Sequence, residues 1–480
     1  IAAPIMRLPS IRRRPVSRSS LHPALVLVVL TVGAIQATRS EPRSTDWRDY
    51  LGGKARNLYS PLQQINRENV SQLEVAWTYE TGDKAEYQAN NLIVEGVLYT
   101  PSPSRKVIAL DAATGRELWK WDPAGERSGK GAPRQRGLVY WQSEDGAERR
   151  LFTGVGGYLF ALDAKTGEVI RSFGENGSVN LASGLNTPGV IYKDTLILGG
   201  VGGKGAVRAL DVRTGKQRWI FHLIPRPGEA GYETWPKDAY KTATGVMPWS
   251  GQSLDEERGI VYVATKTAEP DFYGGKRHGM NLFANCVLAL NAATGERLWH
   301  YQIVHHDLLD KDLPCPPVLL TVNHGGRKID AVAQGTKHGL LFVFDRVTGE
   351  PLWPIEERAV PASDLRGEQA WPPQPFPTNP APLMRQRYTE ADVSDISAET
   401  HQMTLDRPRA LQHLLKIRWP ERLDALDHAM LEGIGLARYQ SLPQGLGYLQ
   451  IRTQHSGSLE IVRLDLAVEL GRVVLPDLVP

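Results

Sequence analysis

The chain has 480 residues, of which 41 % are hydrophobic, and it contains 46 Gly, 33 Pro and 12 Trp, a composition that fits one large all-β domain. The formal net charge is +3, but residues 1–37 hold five arginines and no acidic residue, so the rest of the chain is close to neutral. The charge therefore gives no indication of nucleic-acid binding, and the two cysteines provide no disulfide framework, haem-attachment motif or zinc spacing.

The basic opening leads into an apolar run from Ala24 to Ile35 that is too short to span a membrane comfortably. A basic segment, a short apolar core and Ala37 at the cut site are typical of a secretory signal peptide. We therefore predict a signal peptide over residues 1–37 and an exported mature chain from residue 38. An uncleaved membrane anchor is the alternative.

A phrase of the form ALDAATGRELW recurs five times, and its copies begin at Ala109, Ala161, Ala209, Ala289 and Val343. Each copy predicts a strand, a tight turn and a second strand, because Asp or Asn caps the bend and Thr-Gly supplies a left-handed backbone position. Most copies lie about fifty residues apart, with one wider interval. This period is typical of a radial or solenoid array, so we predict a β-propeller.

Four of the copies close on a tryptophan, at Trp119, Trp219, Trp299 and Trp353. A propeller blade buries both faces of its sheet only against its neighbours. We therefore interpret these tryptophans as packing residues between blades and not as catalysts.

Six further segments are informative: Asp46–Asn69, Ile224–Pro236, Val246–Tyr262, Val304–Pro314, Asp330–Arg346 and Gln374–Pro382. Together they resemble the pyrroloquinoline quinone (PQQ) dependent dehydrogenases, the bacterial quinoprotein alcohol and glucose dehydrogenases, from about Thr45 to Thr404. The resemblance implies an eight-bladed propeller with PQQ near its axis. It also implies a periplasmic enzyme, free or membrane-associated, that oxidises a small alcohol or sugar and passes electrons to a cytochrome c or a quinone pool.

The resemblance also implies roles for two residues at the quinone. Arg136, in the segment RQRGLVYW, matches the element at the quinone edge and could pair with a PQQ carboxylate. An arginine on a blade surface is the alternative. Trp249 lies outside the repeated phrase and matches the floor on which the quinone stacks. A core tryptophan is the alternative.

The acid-rich segment HHDLLDKD contains two candidate residues. Asp310 matches the catalytic aspartate of the family, and oxidation of an alcohol requires a base for the hydroxyl proton. A turn or cap residue is the alternative. Asp312 matches a further metal ligand of some quinoproteins, with Asp310 as its neighbour in that metal site. A salt bridge from Asp312 to Lys311 or to a neighbouring blade is equally compatible with the sequence.

Lys337, in the segment GTKHG, matches the cation that reaches the quinone carbonyl oxygens. An ammonium there stabilises the negative charge that develops as the quinone is reduced, so we assign it to the catalytic and cofactor-binding residues. A surface lysine is the alternative.

The sequence differs from the family at the expected metal ligands and at the residues that lie over the quinone. Thr100–Lys106 holds no vicinal cysteine pair, residues 199–207 hold no metal-binding Glu, and Thr265–Thr267 replace the usual Asn. Because Ca²⁺ takes about six or more oxygen ligands, we expect a divalent or lanthanide cation, Ca²⁺ first, to bind only weakly.

After Asp406 the repeated phrase and its tryptophan stop, and residues 407–480 become rich in Leu and Arg. Apolar residues such as Leu411, Leu414 and Leu415 recur at three- and four-residue spacing, which favours a helix and specifies no blade hairpin. We therefore predict an incomplete propeller over residues 38–406 and an atypical tail that follows a shift of reading frame near Arg407. A genuine helical appendage is the alternative.

Two functions are compatible with these features. One is a quinoprotein dehydrogenase, whose activity an incomplete propeller leaves open. The other is a non-catalytic PQQ-like repeat propeller that serves as a binding scaffold. Trp249, Asp310 and Lys337 favour the enzyme, because a scaffold has no need of that trio, and we predict that the three face one cavity near the propeller axis.

Overall fold

The structure is a computed structural model that describes residues 5–7, 46–126, 135–200, 205–363, 365–386, 438–441, 447–452 and 459–464. Its regular structure is almost entirely β-strand, as predicted. The helical segments are 3-10 turns at Tyr50–Gly52, Val70–Gln72 and Tyr232–Thr234 and one α-helical turn, α1, at Ala239–Thr242. None of the helices in the described ranges is long and apolar enough to cross a membrane.

Strands β1 (Ile5–Arg7) and β2 (Glu74–Trp77) pair with each other, and five antiparallel meanders, which we call blades, follow along the chain. Blade 1 consists of β3 (Leu92–Val94), β4 (Val97–Pro101), β5 (Val107–Asp111) and β6 (Glu117–Trp121). Blade 2 consists of β7 (Val139–Gln142), β8 (Arg149–Val155), β9 (Tyr158–Asp163) and β10 (Ser178–Asn180). Blade 3 consists of β11 (Val190–Tyr192), β12 (Thr195–Gly199), β13 (Ala206–Asp211) and β14 (Gln217–His222).

Blade 4 consists of β15 (Gln252–Asp255), β16 (Ile260–Ala264), β17 (Cys286–Asn291) and β18 (Arg297–Gln302). Blade 5 has three strands, β19 (Val318–His324), β20 (Arg327–Gly335) and β21 (Leu341–Asp345). Two smaller sheets follow: the pair β22 (Ile355–Ala359) and β23 (Pro373–Pro377), and the sheet β24 (Arg438–Ser441), β25 (Gly447–Arg452) and β26 (Leu459–Leu464).

Three copies form the predicted strand, turn and strand, as β5 with β6, β13 with β14 and β17 with β18. In the copies that begin at Ala161 and Val343, an isolated bridge follows the turn in place of a second strand. In the first copy the Asp111 carboxylate accepts hydrogen bonds from the backbone N–H groups of Ala113 and Thr114, at 3.1 and 2.9 Å. Gly115 follows at φ 75°, a left-handed conformation that glycine adopts without strain. The same pair of backbone contacts is made by Asp163, Asp211, Asn291 and Asp345. The turn prediction is confirmed in all five copies.

Three of the four tryptophans pack between neighbouring blades. The indole N–H of Trp299 in blade 4 donates to the carbonyl of Arg346 in the turn of blade 5, at 3.2 Å. A Cβ added at Gly349 of that turn would lie 2.6 Å from the Trp299 ring, so the glycine leaves room for the indole. Trp119 and Trp219 make the same two contacts with the turns of blades 2 and 4. The packing role between blades is confirmed for Trp119, Trp219 and Trp299. Trp353 packs against His324 and the apolar cluster of its own blade, so its role between blades stays a prediction.

Apolar clusters fill the spaces between blades 1 and 2, 2 and 3, 3 and 4, and 4 and 5. The first strands also contact one another in succession, β7 with β11, β11 with β15 and β15 with β19. This is the radial arrangement of a β-propeller, with the first strands around the axis. The described residues contain five blades and not the eight of the resembled family, so the propeller in this part of the chain is incomplete.

The tail differs from its prediction in one respect. We expected no hairpin after Asp406, but β24, β25 and β26 form two hairpins within residues 438–464. That expectation is wrong, because a hairpin does not require the Asp-x-x-Thr-Gly turn of the blades. The helical spacing predicted at Leu411, Leu414 and Leu415 lies outside the described residues. The signal peptide, within which β1 falls, and the boundaries at residues 37 and 406 stay predictions.

Candidate active site

The five candidate residues lie in loops at one end of blades 2, 4 and 5. Arg136 precedes β7, Trp249 precedes β15, and Asp310 and Asp312 lie between β18 and β19. Lys337 lies in the turn between β20 and β21, and antiparallel pairing brings the end of β20 beside the start of β19. Because β7, β15 and β19 surround the axis, these loops converge at one mouth of the propeller.

Asp312 is the centre of the cluster. Its Oδ2 accepts hydrogen bonds from Trp249 Nε1 at 3.0 Å and from Lys337 Nζ at 3.1 Å, and its Oδ1 accepts one from the Thr267 N–H at 2.8 Å. Asp312 is 5 % exposed, and a carboxylate this buried is stable only with such a set of donors. Of the roles that the sequence left open, the structure shows the salt bridge, to Lys337 and not to Lys311.

Asp310 is the second carboxylate on Lys337, whose Nζ lies 2.8 Å from Asp310 Oδ2. The loop reaches this position through a left-handed backbone at Asp310, with φ 53°. Burial raises the pKa of Asp310 and the negative charge of Asp312 raises it further, although Lys337 opposes both. The Asp310 carboxylate is therefore a stronger proton acceptor than an ordinary aspartate.

Two ammonium groups face these acids. Burial lowers the pKa of Lys337, but its bonds to Asp310 and Asp312 outweigh burial and hold the pKa above its usual value. Lys266 follows the same pattern: burial lowers its pKa, and Glu269 and Asp271 outweigh it, with Lys266 Nζ 3.0 Å from Glu269 and 3.3 Å from Asp271. The cluster thus holds charged lysines next to its carboxylates.

A second layer fixes the loop that carries Asp310. The buried carboxylate of Asp307 accepts hydrogen bonds from the Leu309 N–H at 3.0 Å, the Lys311 N–H at 2.6 Å and Asn285 Nδ2 at 3.1 Å, and also from the Thr267 hydroxyl. These bonds close the loop on itself and tie it to blade 4. Sequence analysis missed Asp307 and Asn285. The spacing of the three aspartates in HHDLLDKD was the signal that could have found Asp307.

Trp249 and Arg136 suit a planar, anionic cofactor. The Arg136 guanidinium lies over the Trp249 ring, 5.2 Å from its centroid, so a cation lies next to an indole face at the mouth of the propeller. PQQ is a planar ring system with three carboxylates, and such a group requires an aromatic surface and cations. The residues present therefore fit PQQ, with Trp249, Arg136 and Lys337 as the groups that would hold it.

The donor set does not fit a metal ion. Within the described residues no group of three or more His, Cys, Asp and Glu side chains could hold one. The Oδ2 atoms of Asp310 and Asp312, the predicted metal ligands, both bind Lys337, whereas Ca²⁺ takes six to eight oxygens. The metal assignment is therefore not supported here. Residues 201–204 of the shortened loop lie outside the described residues.

A cavity of about 410 Å³ adjoins the cluster. Lys337 lines it, but Trp249 and Asp310 do not. Hydrogen bonds through Asp312 and Lys337 join the three residues of the predicted trio, so the structure brings them together. That all three face one cavity stays a prediction.

Comparison with known proteins places the chain in a family. A model of the PQQ family, described as the glucose/ethanol/alcohol dehydrogenase beta-propeller domain, matches residues 47–415. The chain is 32 % identical over 415 residues to quinoprotein glucose dehydrogenase A of Acinetobacter calcoaceticus, which covers 73 % of this chain and 51 % of that protein. It is 31 % identical over 465 residues to a quinate/shikimate dehydrogenase (quinone) of Acinetobacter baylyi, with 82 % and 57 % covered.

A solved structure supports the same assignment. The quinohemoprotein alcohol dehydrogenase from Comamonas testosteroni matches with a TM-score of 0.58 and 26 % identity, over 70 % of this chain and 52 % of that chain. The chain spans about half the length of the curated relatives that it matches. With the family model matching most of its length and the five site residues joined at one mouth of the blades, the chain belongs to the PQQ family of glucose, ethanol and alcohol dehydrogenase β-propellers.

Proposed function

We propose that this chain oxidises the CH–OH group of a small alcohol or sugar, with PQQ as the electron acceptor and Asp310 as the base. The observation that carries the proposal is the arrangement around Lys337, which binds Asp310 at 2.8 Å and Asp312 at 3.1 Å while Asp312 also binds Trp249. A non-catalytic scaffold has no need of a raised-pKa carboxylate beside a lysine and an accessible indole. The relatives are named as glucose, quinate/shikimate and alcohol dehydrogenases, which supports this class of reaction.

When bound, PQQ supplies an acceptor for the two electrons and the hydrogen that leave the alcohol carbon. Asp310 takes the hydroxyl proton, and its raised pKa brings it nearer to the pH at which a general base is most effective. Lys337 holds the Asp310 carboxylate in place and offers an ammonium to developing negative charge.

Asp312 acts as a positioning residue. It fixes Lys337 and the Trp249 indole by one oxygen and the Thr267 backbone by the other, so the base, the cation and the aromatic surface keep one mutual geometry. Holding the reacting groups in one fixed geometry lowers the entropic part of the reaction barrier.

We further propose that the protein works in the periplasm, reoxidised by a cytochrome c or a quinone pool, with small alcohols or sugars as substrates. Support for export comes from the basic, acid-free opening and the apolar run after it.

The test is dye-linked turnover by the purified full chain after incubation with PQQ, with glucose and a set of small alcohols as substrates. We expect Asp310→Asn to lower turnover by about 10²- to 10⁴-fold, the usual contribution of a general base, while PQQ still quenches tryptophan fluorescence. Asp145→Asn is the matched control, because this exposed turn residue keeps its Oδ1 contacts as an asparagine. Asp310→Asn with turnover close to that of the unmodified chain would exclude Asp310 as the base.

A further inference from the structure

The charged residues that line the cavity beside Lys337 are positive in the described part of the chain. Its charged lining residues in the described part of the chain are Lys311, Lys337 and Arg385, and no Asp or Glu lines it there. Trp249 and Arg136, which suit the cofactor, do not line it either. The cavity is therefore a separate space that adjoins the candidate base through Lys337 and favours a negatively charged occupant.

Lys311 is the cation that needs a partner. Lys337 already binds Asp310 and Asp312, whereas within the described residues no carboxylate lies within 4.0 Å of the Lys311 ammonium. The Lys311 backbone is fixed on both sides, since its N–H donates to Asp307 and its carbonyl accepts from Asn285 Nδ2 at 3.1 Å. The side chain therefore projects from a rigid loop, which lowers the entropic cost of pairing with a ligand.

Polar groups around Lys311 complete a binding surface. Burial and, after it, the Lys311 charge lower the pKa of His338 to about 4, so the ring is neutral at pH 7. Its Nδ1 is buried and has no hydrogen-bond partner in the described part of the chain. Gln386 Nε2 donates to the His338 carbonyl at 2.8 Å, which holds the segment with Arg385 against this wall.

We propose that the alcohol oxidised here carries a carboxylate, which Lys311 binds in this cavity while the CH–OH group lies toward Asp310. A volume of about 410 Å³ is at the small end of ligand sites and suits a hydroxy acid of about six carbons. The carboxylate is not consumed: a hydroxy acid gives the corresponding oxo acid, with two electrons and two protons leaving the CH–OH group. This inference rests on the proposed function for its chemistry, but the binding of the carboxylate is testable without turnover.

Gluconate and sorbitol are suitable probes, because both are six-carbon polyols and only gluconate has a carboxylate. On the full chain without PQQ, saturation-transfer NMR at low salt should show gluconate binding at least about tenfold more tightly than sorbitol, with the difference falling as salt rises. Lys311→Met should remove the preference, and Lys311→Arg should restore it. Lys328→Met is the matched control, because Lys328 is an exposed lysine near the start of β20.

The outcomes separate this inference from the proposed function. Equal binding of the two probes, or a preference that survives in Lys311→Met, overturns the inference whatever the turnover assay gives. Displacement of gluconate by PQQ also overturns it, since the cations would then serve the carboxylates of the cofactor. Lys311-dependent gluconate binding in a chain without any PQQ-linked turnover supports the anion site and removes the proposed function.

Discussion

Asp312→Asn is the substitution that tests the site most directly. The asparagine has one oxygen and one NH₂ group where the aspartate has two acceptor oxygens. If the oxygen faces Trp249 and Lys337, the NH₂ meets the fully buried Thr267 N–H; in the other orientation it meets the indole N–H and the ammonium. In the better orientation one buried donor loses its partner, so we expect a loss of about 1 to 3 kcal/mol in the free energy of unfolding.

The same substitution shifts the pH dependence of turnover in a defined direction. The negative charge of Asp312 raises the pKa of Asp310, so its removal lowers that pKa. A base acts when it is deprotonated, so the acid limb of the kcat/KM profile should move to lower pH in Asp312→Asn. Turnover above the limb should also fall, because Asp310 becomes a weaker base.

Urea titration and the pH profile of dye-linked turnover measure the two effects. Asp330→Asn is the control, since Asp330 forms an exposed ion pair with Arg258 at 2.7 Å that is expected to contribute less than about 1 kcal/mol. An acid limb that stays in place or moves to higher pH in Asp312→Asn would refute the assigned coupling between the two carboxylates.

Two further predictions concern the blades and the metal. Trp299→Ala should lower the free energy of unfolding by about 3 to 5 kcal/mol and weaken PQQ binding. Trp119→Ala, in the equivalent place between blades 1 and 2, should lower stability but change PQQ affinity little. Thermal melts measure the stability and fluorescence quenching measures the PQQ affinity; equal effects of the two substitutions on PQQ affinity would contradict the reasoning. Excess Ca²⁺ or Tb³⁺ should raise the PQQ affinity of the unmodified chain only slightly, because Lys337 occupies Asp310 and Asp312; tight, metal-dependent binding would show that the ligands come from elsewhere.

The sequence predicted the blades because each copy of the repeat specifies its own turn. Asp or Asn, Thr and Gly carry out a local task within five residues, so nothing distant has to be known. The same holds for the indoles at Trp119, Trp219 and Trp299, but Trp77 was missed. It makes the same contact, with its N–H donating to the Ala112 carbonyl at 3.2 Å, yet it lies before the first full copy of the phrase.

The sequence predicted which residues form the site but not how they bind one another. Motifs located Trp249, Asp310, Asp312 and Lys337, but no spacing shows that one ammonium binds two carboxylates from a different loop. That outcome depends on how blades 4 and 5 are set against each other. The supporting role of Asp307 was missed for the same reason, since its partners include Thr267 and Asn285, 40 and 22 residues away.

The packing between blades and the chemistry at the mouth are therefore one structural problem. Trp249 belongs to the entry of blade 4, and Lys337 belongs to a turn of blade 5. The Asp312 loop, the apolar contact between the two sheets and ion pairs such as Arg346 with Asp255 hold the two blades together. Trp299 packs across this contact against Phe344 and donates to the Arg346 carbonyl. A small rotation of blade 5 would move Lys337 away from both carboxylates before any blade unfolded. As the denaturant concentration rises, we therefore expect the activity of this chain to be lost before its strand content falls. The reason is that a site built from two blades is lost when either blade shifts.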